Sequence, residues 1–219
     1  MQAASDGRCT TQDEDDAIEA VGGERSALYG EITPLGFRTL AARVQLGESD
    51  TFVDLGSGLG RATVQAAREY NVQASFGVEM APTRHERAEA LLDESPDASE
   101  LAARVHFLCE NCAEPTLWGT PDGLLAKVTV VYMGSLMFGS ELMASLARLI
   151  GSVPSVRAIA TLKRFAGGGL PVGFAEASEP LTCETSWTAP LRAAGADVKL
   201  KEPGCPVFLY LRCGAKTVT

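Results

Sequence analysis

The run Thr51-Phe52-Val53-Asp54-Leu55-Gly56-Ser57-Gly58-Leu59-Gly60 constrains this chain more than any other stretch. Five strand-forming residues lead into a turn built on three glycines, and a helical pattern follows at once. Glycines at a strand-to-helix turn let backbone N–H groups approach a ligand closely. Gly77-Val78-Glu79 then ends a second strand. Glu79 falls about 20 positions after the turn, where an acidic side chain accepts hydrogen bonds from a ribose diol.

The alternation continues beyond this unit. Strands are predicted at 51–55, 73–79, 104–109, 127–133 and 156–162, and helices at 60–70, 82–93 and 139–150. Val128-Thr129-Val130-Val131-Tyr132 is nearly all β-branched, as a strand buried on both faces is. Thr33-Pro34 caps a further helix ahead of the first strand. Two last strands, near 181–188 and 205–213, are joined by residues 191–203 and form an antiparallel pair. Gly167-Gly168-Gly169 reads as a turn and 171–180 as loop. The pattern predicts an α/β, Rossmann-like, mostly parallel seven-stranded sheet with helices on both faces and an antiparallel C-terminal strand. At 219 residues the chain suits one such domain over 26–219, preceded by a flexible acidic leader over 1–25.

The letters of the turn select the ligand. Dinucleotide sites use G-x-G-x-x-G so that a pyrophosphate can reach the helix. Here the strand ends on Asp54 and the turn reads D-L-G-S-G-x-G. A carboxylate at that point suits a cation, and S-adenosylmethionine carries an ammonium and a sulfonium but no pyrophosphate. Asp54 is therefore assigned to the methionine end, Gly56, Gly58 and Gly60 to the backbone cradle, Glu79 to the ribose and Asn111 to the adenine.

Composition excludes other classes. A net charge of −9 and a pI near 4.8 leave no basic field for independent nucleic-acid binding. No apolar run reaches the roughly 18 residues that span a bilayer, and no basic-then-apolar leader marks a secretory signal. An intracellular protein, nuclear or cytoplasmic, is expected. Cys109 and Cys112 have metal-like spacing but lack a second Cys or His pair, so no metal is predicted.

Leu28-Tyr29-Gly30-Glu31, the Asp54 to Gly60 run, Gly77-Val78-Glu79, Met137-Phe138-Gly139, Ser186-Trp187-Thr188 and Pro206-Val207-Phe208-Leu209-Tyr210-Leu211 together resemble the disruptor-of-telomeric-silencing family, the non-SET histone-lysine methyltransferases. The resemblance spans about residues 27 to 213. It implies S-adenosylmethionine as cofactor and a lysine-bearing protein, histone included, as substrate. It also implies that Tyr29, Gly30 and Glu31 form a loop over the methionine end, and that Trp187 and Tyr210 wall the lysine channel.

Three positions depart from the family pattern. Met133-Gly134-Ser135-Leu136 stands where an asparagine pair is usual, leaving Ser135 or the backbone near Gly134 to orient the amine. Asn111 replaces an aspartate, and Arg61 a glutamine. Trp187 and Tyr210 are equally suited to core packing, and Arg84, His85, Glu86 and Arg87 read as a solvated helix face. Two alternatives remain open at this level: a small-molecule N- or O-methyltransferase, and a non-catalytic S-adenosylmethionine-binding subunit.

Overall fold

The computed structural model describes residues 7–119, 123–165, 169–189 and 204–214. Helices α1 (Gln12–Gly22) and α2 (Pro34–Val44) precede strand β1 (Thr51–Leu55). Then come α3 (Arg61–Tyr70), β2 (Ala74–Glu79), α4 (Pro82–Asp93), the single turn α5 (Ala98–Leu101) and β3 (Val105–Cys109). The second half runs α6 (Pro115–Trp118), β4 (Val130–Met133), a 3-10 turn (Ser135–Met137), α7 (Ser140–Ser152) and β5 (Ala158–Thr161). It ends with β6 (Phe174–Glu176), β7 (Leu181–Cys183) and β8 (Cys205–Arg212).

The sheet order is β3-β2-β1-β4-β5-β8-β6, with β7 attached to β8. Strands β1 to β5 are parallel, and β8 runs antiparallel to β5, β6 and β7. This is the doubly wound α/β sheet the sequence predicts, with eight strands among the described residues rather than seven. The extra strand is β6, formed inside 171–180 because β8 offers it a free edge. Most of the Gly167-Gly168-Gly169 turn, the 191–203 connection and residues 1–6 of the leader lie outside the described residues.

Every residue of β1, β4 and β5 is buried, so these strands are covered on both faces rather than alternating between core and solvent. Their side chains still divide by the two-residue period of a strand. Phe52, Val130 and Ala158 join Phe37 and Leu40 of α2 in one core. Val53, Val131 and Ile159 join Leu146 and Ile150 of α7 in the other.

The acidic leader is a correction. Residues 12–22 form α1, not a flexible tail. The Thr11 hydroxyl accepts from the Glu14 N–H at 3.3 Å, and Glu14 Oε2 accepts from the Thr11 N–H at 2.7 Å. The same Glu14 carboxylate accepts from the N–H and hydroxyl of Thr83 at 2.8 and 2.9 Å. It thereby caps α4, whose own N-cap residue, Ala81, has no capping side chain. Acidity that reads as solvation in sequence is spent on two helix starts.

Candidate functional site

The carboxyl ends of β1, β2, β3 and β4 meet at one cleft. The turn after β1 is pinned by Gly56 and Ser57 N–H groups donating to the Val78 carbonyl at 2.8 and 3.1 Å. Gly58 N–H donates to Glu79 Oε2 at 2.8 Å, and Ala81 N–H to Oε1 at 2.9 Å. Gly58 has φ +55°, and a Cβ there would lie 2.7 Å from the Tyr29 ring. Only glycine fits that position.

Asp54, Gly56, Gly58, Glu79 and Asn111 all line this cleft, as do Tyr29, Gly30 and Glu31. Gly60 does not. It starts α3 at φ +71°, and a Cβ there would lie 2.2 Å from Phe107, so its role is helix–sheet packing. Asn111 presents its amide, but its Oδ1 already accepts from the Ala113 N–H at 2.9 Å, leaving the amide nitrogen to face a ligand.

Four carboxyl groups line the cleft, Glu31, Asp54, Glu79 and Glu110, of which Glu31 and Glu79 bear on Asp54. Asp54 is 4% exposed, and burial, then Glu31 and Glu79, push its pKa well above the carboxylate range. Its strand neighbours are Gly77 and Tyr132, neither of which supplies a positive charge. Glu31 pairs with Arg61 at 2.5 Å, yet its Oε1 is shielded and has no hydrogen-bond partner. The geometry is that of a cation site. A sulfonium and an ammonium placed here would relieve the repulsion and fill the unpartnered oxygen. The residues present therefore fit an amino-acid-bearing adenosyl cofactor.

Tyr29 lies over the cleft with its hydroxyl unpartnered. Burial, then the nearby Glu31, raise its pKa, so it stays a neutral phenol. Arg84 stacks on its ring with 5.2 Å to the centroid. Arg84 is a second correction, because it is buried rather than on a solvated face. Its guanidinium donates to the carbonyls of Gly7 and Ala27 at 2.9 and 2.7 Å, tying the N-terminal segment down over the cleft. Position in the first turn of α4, right after Glu79, was the available signal.

The acceptor side differs more from expectation. Trp187 is 42% exposed and lines a second cavity beside the cleft. Its ring lies where a Cβ of Gly30 would stand, 2.4 Å from that point. Tyr210 is fully buried and lines neither cavity. Register explains it: Tyr210 faces Ile159 in mid-sheet, and alternation turns it toward the α7 core, where its hydroxyl accepts from the Phe165 N–H at 3.3 Å. Ser135 is also fully buried, hydrogen-bonded to the Thr161 hydroxyl and absent from both linings. Gly134 and Phe138 line both cavities instead. Tyr132 and Ile18 and Val21 of α1 also line the cleft and were not singled out in the sequence.

The same fold occurs in solved structures of low identity. An RNA methyltransferase from Salinibacter ruber, in complex with S-adenosyl-L-homocysteine, superposes with a TM-score of 0.51 at 16% identity, over 85% of this chain and 95% of that one. TrmN from Thermus thermophilus gives 0.56 at 17% identity, over 83% and 49%. Among curated proteins, a histone-lysine N-methyltransferase, H3 lysine-79 specific, from Eremothecium gossypii is 28% identical over 166 residues, 67% of this chain and 26% of that protein. A protein of the same name from Kluyveromyces lactis is 32% identical over 74 residues, 34% of this chain and 13% of its own. The chain thus spans about a quarter or less of these relatives. The family described as Histone methylation protein DOT1 matches residues 22–185, a span that holds the Tyr29 to Glu31 loop, the glycine turn and Glu79. By that match the chain belongs to the DOT1 histone-methylation family.

Proposed function

We propose that the chain is an S-adenosylmethionine-dependent protein-lysine N-methyltransferase, with a histone or another lysine-rich protein as substrate. The observation that carries this reading is the convergence of Glu31, Asp54 and Glu79 on one cleft beneath a glycine turn. The names and bound ligand of the proteins it resembles point the same way.

When bound, the cofactor supplies a methyl group activated by an adjacent sulfonium. Asp54 and Glu31 hold the cationic methionine end, Glu79 takes the ribose hydroxyls, and the Asn111 amide meets the adenine. Tyr29, Phe138 and the side-chain-free Gly134 flank the transfer point. In-line displacement needs alignment and a neutral amine. The apolar walls disfavour the charged lysine, and the neutral Tyr29 phenol adds no further negative charge beside it. The Gly134 carbonyl accepts from Leu136 at 3.0 Å and keeps a lone pair for the amine.

The test is methyl transfer from radiolabelled cofactor to core histones, nucleosomes and cell lysate, with Asp54→Ala as control. Label on a protein lysine that vanishes with Asp54→Ala supports the reading. Label confined to metabolites favours a small-molecule methyltransferase, a reading that the roughly 510 Å³ second cavity could also serve. Cofactor binding with no label on any acceptor favours the non-catalytic subunit.

A further inference from the structure

The turn after β4 forms a wall shared by the cofactor cleft and the outer cavity. Gly134 and Phe138 line both spaces, and Leu136 and Met137 between them line the outer one. The Leu136 N–H donates to the Gly134 carbonyl and the Phe138 N–H to the Ser135 carbonyl, each at 3.0 Å. So short a turn has little core of its own, and its shape depends on what fastens it.

It is fastened at both ends to one stretch at the end of β5. At the near end, the fully buried Ser135 is hydrogen-bonded to the Thr161 hydroxyl. Parallel register brings them together, because Met133 of β4 faces Thr161 of β5. The Thr161 hydroxyl donates its one hydrogen to the Lys163 carbonyl at 3.0 Å and accepts from the Lys163 N–H at 3.3 Å. Ser135 is therefore the donor, and the Thr161 oxygen is saturated. At the far end, the Lys163 ammonium donates to the Phe138 carbonyl.

Lys163 is half-buried and lines neither cavity, so it grips the wall from behind. A charge-assisted hydrogen bond is roughly twice as strong as a neutral one. The ring it steadies lies against the glycine turn, 3.4 Å from where a Cβ of Gly56 would stand. Resting on the function proposed above, we infer that Lys163 is a positioning residue for methyl transfer. With Ser135 and Thr161 it clamps residues 134–138, fixing the Gly134 carbonyl and the Phe138 ring between which the incoming amine is aligned. Ser135 thus acts behind the wall and not on the amine.

Hydrogen exchange and turnover are measured together on Lys163→Met and Lys163→Arg. Methionine keeps most of the stem without the donor, and arginine restores a donor. In Lys163→Met, exchange at 134–139 is expected to quicken roughly tenfold, the scale of one charge-assisted hydrogen bond, with β1 unchanged. On core histones kcat falls roughly tenfold. Cofactor affinity by calorimetry stays within about threefold, because Asp54, Glu79 and Asn111 stand at the ends of other strands. Lys163→Arg recovers most of both losses. Ser135→Ala lowers kcat less in the Lys163→Met background than alone, since both act through one turn. Unchanged exchange at 134–139 in Lys163→Met, an undiminished kcat, or losses that Lys163→Arg does not recover overturn the inference. If the exchange pattern holds but the wild type methylates no lysine, the clamp stands and the lysine-transfer reading falls.

Discussion

Glu31 and Ser186 hold each other by two reciprocal hydrogen bonds: the Glu31 N–H donates to the Ser186 hydroxyl at 3.1 Å, and the Ser186 N–H donates to the Glu31 carbonyl at 2.8 Å. The Ile32–Thr185 bridge and the Thr33 N–H on the Glu184 carbonyl at 3.0 Å extend the pairing. Two motifs 155 residues apart in sequence are therefore one structural unit, which carries Glu31 into the cleft and Trp187 beside it.

Ser186→Ala removes the side-chain half of that exchange and leaves the backbone half. The expected loss is about 1 kcal/mol of stability. The drop in kcat/KM should exceed what so small a change in folded population explains, because the loop that positions Glu31 and Trp187 loosens. A thermal melt set beside steady-state kinetics checks both.

Asp54 should trade stability for binding. In the folded chain its pKa stands well above the ordinary 3.8, through burial first and then Glu31 and Glu79. The folded state therefore keeps this proton to higher pH than the unfolded state does. The contribution is full below the ordinary carboxylate range and is lost as pH rises through the folded pKa. Asp54→Asn, which cannot ionise, is expected to stabilise the ligand-free protein at neutral pH by roughly 1–3 kcal/mol and to abolish cofactor binding. Calorimetric binding and melts across pH 5–8 read this out; an unchanged melting temperature together with normal affinity would contradict it.

The contact between Gly30 and Trp187 makes a coupled pair. A Cβ on Gly30 would sit 2.4 Å from the Trp187 ring, so Gly30→Ala must push the indole away. Alone it should lower kcat/KM by about tenfold, the scale of misplacing one binding contact. In a Trp187→Ala background the same change should cost little, because the obstruction is gone. A double-mutant cycle measures the coupling; additive effects would mean the indole does not bear on catalysis.

Much of the cofactor half was legible because its constraints are local. A strand, a glycine turn and a strand-end carboxylate fix Asp54, Gly58 and Glu79 within a single βαβ unit. Gly60 was misassigned for a reason sequence cannot reveal, since its crowding comes from Phe107 on a different strand. The acceptor half depends on register and long-range contacts. Nothing near Tyr210 says that it meets Ile159 rather than Thr161, yet that offset of two residues decides between core and cleft. Likewise, the role of Glu14 is invisible until α4 arrives beside it.

Tyr210→Phe tests that register. The residue loses the hydrogen bond from the Phe165 N–H and the hydroxyl's interaction with Glu176, and retains its edge-to-face contact with Phe165 at 5.1 Å. About 1 kcal/mol of stability should go, with kcat and cofactor affinity within twofold of wild type. A selective fall in kcat at unchanged stability would put the hydroxyl back in the lysine channel.

Glu14 caps two helices with one carboxylate, and its removal should open the cleft. Burial works against its charge, but hydrogen bonds from Thr11 and Thr83 outweigh that and hold its pKa below the ordinary 4.5. A lowered carboxylate pKa gives a contribution that is present above the unfolded value and lost as pH falls through the folded one. The α1 attachment is thus strongest at neutral pH and fails in acid, opposite in sign to Asp54. Glu14→Ala removes the α4 cap, worth about 0.5–2 kcal/mol, and the return half of the α1 capping box, while the Thr11 hydroxyl still accepts from the residue-14 N–H. The loss should concentrate in α1 and the start of α4 rather than spread through the sheet. Because Ile18 and Val21 line the cleft, a loosened α1 should speed cofactor dissociation several-fold. Hydrogen exchange at 12–22, compared with stopped-flow release of the cofactor, tests the link; fast α1 exchange with unaltered release would show that α1 is not a lid on this site.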